Sequence, residues 1–234
     1  MIELLLAELE RAQKTYKPNE AVRARLREIT FVPVIGPFLT GKSTVMAAAA
    51  RLDRSFGRVR SFTTRERRAG EPEDLYEFLP HTEATLRKIL SEVNAHELVQ
   101  FTLHPTTGAA YGSRLSAWHR QFMMLDIVPH ALEAMRSFEF KTVRPIALAV
   151  DAKEWTERLH SREDDAEERI KRLREGISNV EWCLAHDVAW LNNSSRTPED
   201  AARQLIAIAE GTSRGDASGA AVAEGLLEIL KAMI

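Results

Sequence analysis

Apolar positions along the chain fall into two patterns, one spaced at three and four residues and one contiguous. Residues 2–16 place Ile2, Leu5, Leu6 and Leu9 on one helical face with acids and Arg11 elsewhere, and Lys17-Pro18-Asn19 ends the pattern. Asn19 can cap a second short helix over 20–29, made basic by Arg23, Arg25 and Arg27. Contiguous runs of strand length follow at Phe31–Ile35, Phe122–Leu125, Val143–Val150 and Val188–Leu191, with shorter strand-like pieces at Val59–Phe62 and Leu98–Phe101. Helical patterns lie between them: Ser43 to about Leu52, 82–95 with Thr82 as cap, one opening near Leu115, one beginning near Lys153, and Pro198–Glu210. This alternation predicts an α/β fold, a parallel sheet with helices on both faces. Residues 160–174 are too charged for a core. They read either as a solvated helix pair laced with ion pairs or as a mobile lid that carries arginines over a transferring phosphate. Gly211–Ala220 reads as a linker and 221–234 as a short amphipathic helix.

Composition narrows the class. A chain of 234 residues, 44% of them hydrophobic, can bury one good-sized core. With 32 basic against 34 acidic residues, a whole-surface field for nucleic acid or membrane is not implied, and any polyanion site is local. The single Cys183 excludes an intramolecular disulfide and a cysteine-based zinc site, which fits a reducing compartment. No run has the length of a membrane span, and the start lacks the basic region of a signal peptide, so the cytoplasm is the expected location. The two N-terminal helices are expected to form an accessory hairpin packed on the domain or on a second copy of the chain.

The chemistry concentrates where the first apolar run stops. Gly36 to Ser43 reads G-x-x-x-x-G-K-S, a phosphate-binding loop between a buried strand and a helix. Glycines at both ends permit turns that aim successive N–H groups at an anion, and the helix start adds its positive end. Lys42 supplies a mobile charge for the β- and γ-phosphates, and the Ser43 hydroxyl is the expected Mg²⁺ ligand. Pro37 and Phe38 make this loop stiffer and more apolar than phosphate binding requires. Four arginines within residues 60–68, interleaved with hydroxyls, read as a second phosphate site for an acceptor. Phe122–Asp126 has the form of a central strand that delivers a carboxylate to its carboxyl end, where open α/β sheets bind ligands, so Asp126 is expected to face the site or the magnesium.

With these motifs in order, residues 30–210 resemble the guanylate kinase family. The family's S-x-T-T-R-x-x-R-x-G-E segment followed by a tyrosine is matched by Ser61, Thr63, Thr64, Arg65, Arg68, Gly70, Glu71 and Tyr76, with one residue fewer before the tyrosine. Its later Tyr-Gly-Ser is matched by Tyr111, Gly112 and Ser113. The resemblance implies a phosphate-loop NTPase-type parallel sheet with a small acceptor-binding region at about 60–115 and a helical lid at about 158–180, flanked by extensions at 1–29 and 211–234. It also implies roles. Gly36, Gly41, Lys42, Ser43 and Thr44 would hold ATP, with Asn192 near the adenine. Ser61, Arg65, Arg68, Glu71, Tyr76, Gln100, Tyr111, Ser113 and Asp126 would hold the acceptor, Ser43 and Asp126 the Mg²⁺, and Lys42, Arg65, Arg158, Arg162 and Arg172 would act on the transferring phosphate. The implied reaction is ATP-dependent phosphorylation of a nucleoside monophosphate, GMP to GDP.

The departures cluster on the base-reading side. Gln100 stands where the family has a glutamate that reads guanine, and Val128 stands where it has an aspartate. Glutamine accepts one guanine donor but presents its own N–H₂ to the other. Two alternatives therefore stand beside GMP: the same transfer to another nucleotide or to a non-nucleotide phosphate, and a non-catalytic interaction module of this fold.

Overall fold

The computed structural model describes residues 1–67, 71, 73, 76–104, 107–161 and 166–234. Two helices open the chain, α1 (Ile2–Gln13) and α2 (Glu20–Leu26), the second capped by Asn19, whose side chain accepts from the Val22 N–H at 3.0 Å. Next come β1 (Thr30–Ile35), α3 (Lys42–Leu52), β2 (Phe56–Arg58), β3 (Phe62–Thr63), β4 (Glu77–Phe78), α4 (Glu83–Asn94), β5 (Leu98–Leu103) and β6 (Ala110–Arg114). The chain continues through β7 (Phe122–Asp126), α5 (Pro129–Met135), β8 (Thr142–Val143), β9 (Ile146–Ala149), α6 (Ala152–His160), α7 (Ala166–Ala185), β10 (Ala189–Asn192), α8 (Pro198–Glu210) and α9 (Gly219–Ala232).

Among the described residues the main sheet runs β10-β9-β1-β7-β2, with β8 also on β1, and every pairing is parallel. All of β1 is buried, as a central strand covered on both faces requires. Val32 and Val34 enter a core with α3 and α8, while Phe31 and Ile35 enter one with α2 and α5 on the other face. Pro33 is an unusual residue for a central strand because it cannot donate to a ladder. The neighbouring strand is interrupted beside it: β1 pairs with β8 at Thr30–Phe31 and with β9 at Val34–Ile35, so the missing donor falls at the break. The expected α/β fold with helices on both faces is the one observed. Among the described residues no helix is long and apolar enough to cross a membrane.

The second sheet runs β4-β3-β6-β5, mostly antiparallel, and α1 and α4 cover one face of it. Leu5 and Leu9 of α1 are buried there with Leu86, Ile89 and Phe62, whereas Val22 and Leu26 of α2 belong to the main core. The two N-terminal helices are therefore split between the two sheets instead of forming one hairpin. Three local expectations change. The Val59–Phe62 piece is the crossing between β2 in the main sheet and β3 in the second. The helix expected near Leu115, which follows β6 directly, is a single 3₁₀ turn, Leu115–Ala117. The Gly211–Ala220 stretch lies against β10: the Asp216 N–H donates to Trp190 O at 2.7 Å and its carboxylate accepts from the Asn192 N–H at 2.8 Å.

Candidate active site

The site begins at the carboxyl end of β1. Gly36 (φ 148°) turns the chain out of the strand, where a Cβ would stand 2.5 Å from Leu148 O. Gly41 (φ 91°) closes the loop as the N-cap of α3, and a Cβ there would stand 2.6 Å from Asn193 Nδ2. No side chain caps α3, so its first-turn amides remain the unpaired donors of a helix start. Buried Thr40 ties the loop to itself, its hydroxyl donating to Pro37 O at 2.9 Å, and its carbonyl accepts from Asn193 Nδ2 at 2.8 Å. Lys42 folds over the loop: Nζ donates to Gly36 O at 2.7 Å and Pro37 O at 2.9 Å, and lies 3.8 Å from Asp126 Oδ1. Ser43 and Thr44 are exposed at the helix start.

Asp126 ends β7, beside β1 in the sheet, which is why its carboxylate meets the loop. Its side chain is 44% accessible, yet it sits at the base of a cleft walled by protein. Burial there pushes its pKa up, while Lys42 and Arg58 hold it down.

Across the cleft, the second sheet presents aromatic and basic groups. Arg65 makes a two-pronged pair with Glu71, Nη1 and Nη2 donating to the two carboxylate oxygens at 2.7 and 2.6 Å, and its guanidinium lies 5.3 Å from the Tyr76 ring centroid. The Tyr76 and Tyr111 rings meet edge to face at 6.0 Å. Burial pushes the Tyr76 hydroxyl up to about 12, helped by the negative charge of Asp126, so these two groups share the cleft. The register of β5 on β6 sets Gln100 opposite Ser113 and Thr102 opposite Tyr111, so these four share a face. Val128 caps α5 just beyond Asp126 and is half-buried.

Several expected site residues are placed elsewhere or engaged. Ser113 is fully buried and its hydroxyl accepts from Trp118 Nε1 at 3.0 Å. Ser61 is buried, with its carbonyl accepting from the Glu77 N–H. Asn192 turns toward the C-terminal segment, its Nδ2 donating to Ser218 Oγ at 3.4 Å, and it is the next residue, Asn193, that reaches the 36–43 loop. Arg158 Nη1 donates to Leu39 O at 2.7 Å and the same guanidinium pairs with Glu154, while the Arg172 guanidinium lies 5.9 Å from the Phe38 ring centroid. Both arginines are thus at the apex of the loop. Arg68 and Arg162 lie outside the described residues. Sequence reasoning missed Asn193, Arg58 and Trp155. The Asn192-Asn193 doublet at a strand end was a signal, since neighbouring positions there point opposite ways.

No protein-family profile matches the chain, and no curated protein matches it in sequence. Among solved structures, the guanylate kinase from Anaplasma phagocytophilum superposes with a TM-score of 0.50 at 16% identity, over 79% of this chain and 85% of that one. The chain has a guanylate kinase-like fold.

Proposed function

We propose that the chain is an ATP- and Mg²⁺-dependent nucleoside monophosphate kinase, with GMP the acceptor that its motifs favour. The observation that carries this reading is the meeting of two groups of basic and hydroxyl side chains across one cleft. On one wall stands the Gly36–Ser43 loop, with Lys42 3.8 Å from Asp126; on the other stand Arg65, Tyr76 and Tyr111.

The chemistry is transfer of the γ-phosphoryl group to an acceptor phosphate oxygen, with the bond to the β-phosphate oxygen breaking as the new one forms. Catalysis would rest on alignment and charge. Among the described residues Lys42 has loop carbonyls and a distant carboxylate as its partners, so its ammonium can turn to the β- and γ-phosphates. The α3 amides would hold the same oxygens. Arg65 would exchange part of its Glu71 pairing for the acceptor phosphate, and Tyr76, a neutral hydroxyl at ordinary pH, would donate to it. No base stronger than the acceptor phosphate itself is required.

One hydroxyl and one carboxylate suit Mg²⁺, which keeps several waters and takes phosphate oxygens as further ligands. The exposed Ser43 hydroxyl and the accessible Asp126 carboxylate fit that donor set and would hold the ion, which would supply charge neutralisation on the donor phosphates. Arg158 and Arg172, at the loop apex, would be the lid arginines that meet the charge developing on the transferring group.

Gln100 and Val128 favour a second reading in which the acceptor carries another base. A coupled ADP-release assay with ATP, Mg²⁺ and each common ribo- and deoxynucleoside monophosphate tests both. Turnover with GMP above the rest supports the first reading, preference for another acceptor supports the second, and silence with every acceptor contradicts the kinase assignment.

A further inference from the structure

The loop apex, Pro37-Phe38-Leu39, is anchored away from the cleft. Phe38 and Leu39 pack against a cluster built by α6, α7 and α9, whose buried members include Trp155, Leu173, Leu226 and Leu230. The anchoring involves backbone as well as side chains. Trp155 Nε1 donates to Phe38 O at 2.8 Å and Arg158 Nη1 to Leu39 O at 2.7 Å, while the Phe38 and Trp155 rings meet edge to face at 5.4 Å. Leu39 is held at φ 66°, a left-handed conformation that a leucine keeps only where its surroundings impose it. Gly176 of α7 is the point of convergence: a Cβ there would stand 3.3 Å from Pro37 Cβ and 3.6 Å from Leu230 Cδ1. The start of α9 is pinned in turn, because Asp216 is bonded to Asn192, Trp190 and Arg196.

We propose that α9 and the Gly176 face of α7 form a buttress that sets the shape of the phosphate loop, which makes Pro37, Phe38 and Leu39 positioning residues for the donor phosphates. This rests on the donor role of residues 36–43. The buttress accounts for a loop more apolar than phosphate binding requires: its apex is a plug whose socket is the cluster that α6, α7 and α9 build. Donor-site geometry is then fixed in part from α9, a helix that touches no substrate.

The test is a matched pair of substitutions in the full-length chain. Gly176→Ala inserts a methyl that Pro37 must yield to by a few tenths of an ångström, whereas Gly225→Ala, on α9, adds one where nothing lies within 4 Å. Leu226→Ala hollows the same cluster from the α9 side. Displacements of about 1 Å cost ~100-fold, so the smaller shift should lower kcat/KM for ATP about three- to tenfold in Gly176→Ala. Leu226→Ala should move it in the same direction, with KM for the acceptor unchanged and Gly225→Ala like the parent. The indole N–H resonance of Trp155, assigned with Trp155→Phe in ¹⁵N-tryptophan-labelled protein, should shift in Gly176→Ala and Leu226→Ala and stay in place in Gly225→Ala. Donor kinetics and a Trp155 resonance unchanged in both would overturn the buttress, as would equal effects on donor and acceptor KM. If the parent protein neither binds nor turns over ATP, the donor reading fails and the proposal with it. A parent active on ATP with indifferent variants sinks the buttress alone.

Discussion

Substituting Gln100 by glutamate should move the acceptor preference toward guanine. Residue 100 shares a sheet face with Tyr111, whose ring is 6.0 Å from that of Tyr76, so a base held by these tyrosines lies within its reach. A carboxylate accepts from both the ring N–H and the exocyclic amine of guanine, where the amide accepts one and opposes the other. A hydrogen bond to a charged group is worth about 1.5–3 kcal/mol, or roughly 10- to 150-fold in relative kcat/KM. The lower end is expected, because Asp126 already places negative charge in the same cleft and like charges oppose ionisation. Initial rates with GMP, IMP and AMP give the decisive comparison. IMP lacks the exocyclic amine, so Gln100→Glu should raise GMP over IMP as well as GMP over AMP. Unchanged GMP/IMP and GMP/AMP ratios of kcat/KM would refute the placement of residue 100 at the base.

Other perturbations probe the frame around the site. Leu9→Ala, in a helix that packs under the second sheet, should lose about 2–5 kcal/mol in urea unfolding, as a fully buried leucine does; a loss below about 0.5 kcal/mol would show α1 to be detached from that core. Tyr76 titrates at about 12 instead of its ordinary 10.0 because burial disfavours the phenolate. The folded state then holds this proton more tightly than the unfolded chain does, so its contribution is complete below the ordinary value and lost as pH rises toward 12. Thermal unfolding should therefore show the parent losing stability more steeply than Tyr76→Phe across that window, with a constant offset below it; parallel curves throughout would contradict the burial of the hydroxyl.

What the sequence made legible was what local rules decide. The glycine spacing of residues 36–43, the apolar run ending at Asp126 and the Asn19 and Thr82 caps each rest on contacts within a few residues. The Thr82 side chain indeed accepts from the Thr85 N–H. Features set by distant partners were not legible. Strand β6 contains Ala110, Gly112 and Ser113, poor strand formers that pair because β3 and β5 flank them, and Gly112 leaves room for the Phe62 ring. The stretch from Val59 to Phe62 carries strand-type residues but has to pass between sheets. Asn193 reaches the 36–43 loop through the one-residue alternation at the end of β10, a contact that spacing alone does not reveal. Pro37 and Phe38 made no sense within their own segment, and acquired a reason only when Trp155 of α6 and Gly176 of α7, from the second half of the chain, were found against them.

The central claim, phosphoryl transfer through the 36–43 loop, is tested most directly by ³¹P NMR of the protein with ATP, Mg²⁺ and GMP, beside Lys42→Ala. The account predicts a growing pair of nucleoside diphosphate signals from both ADP and GDP with the parent protein, and none above background with Lys42→Ala. Equal conversion by the two proteins would contradict the assignment of Lys42 and its loop to the donor phosphates.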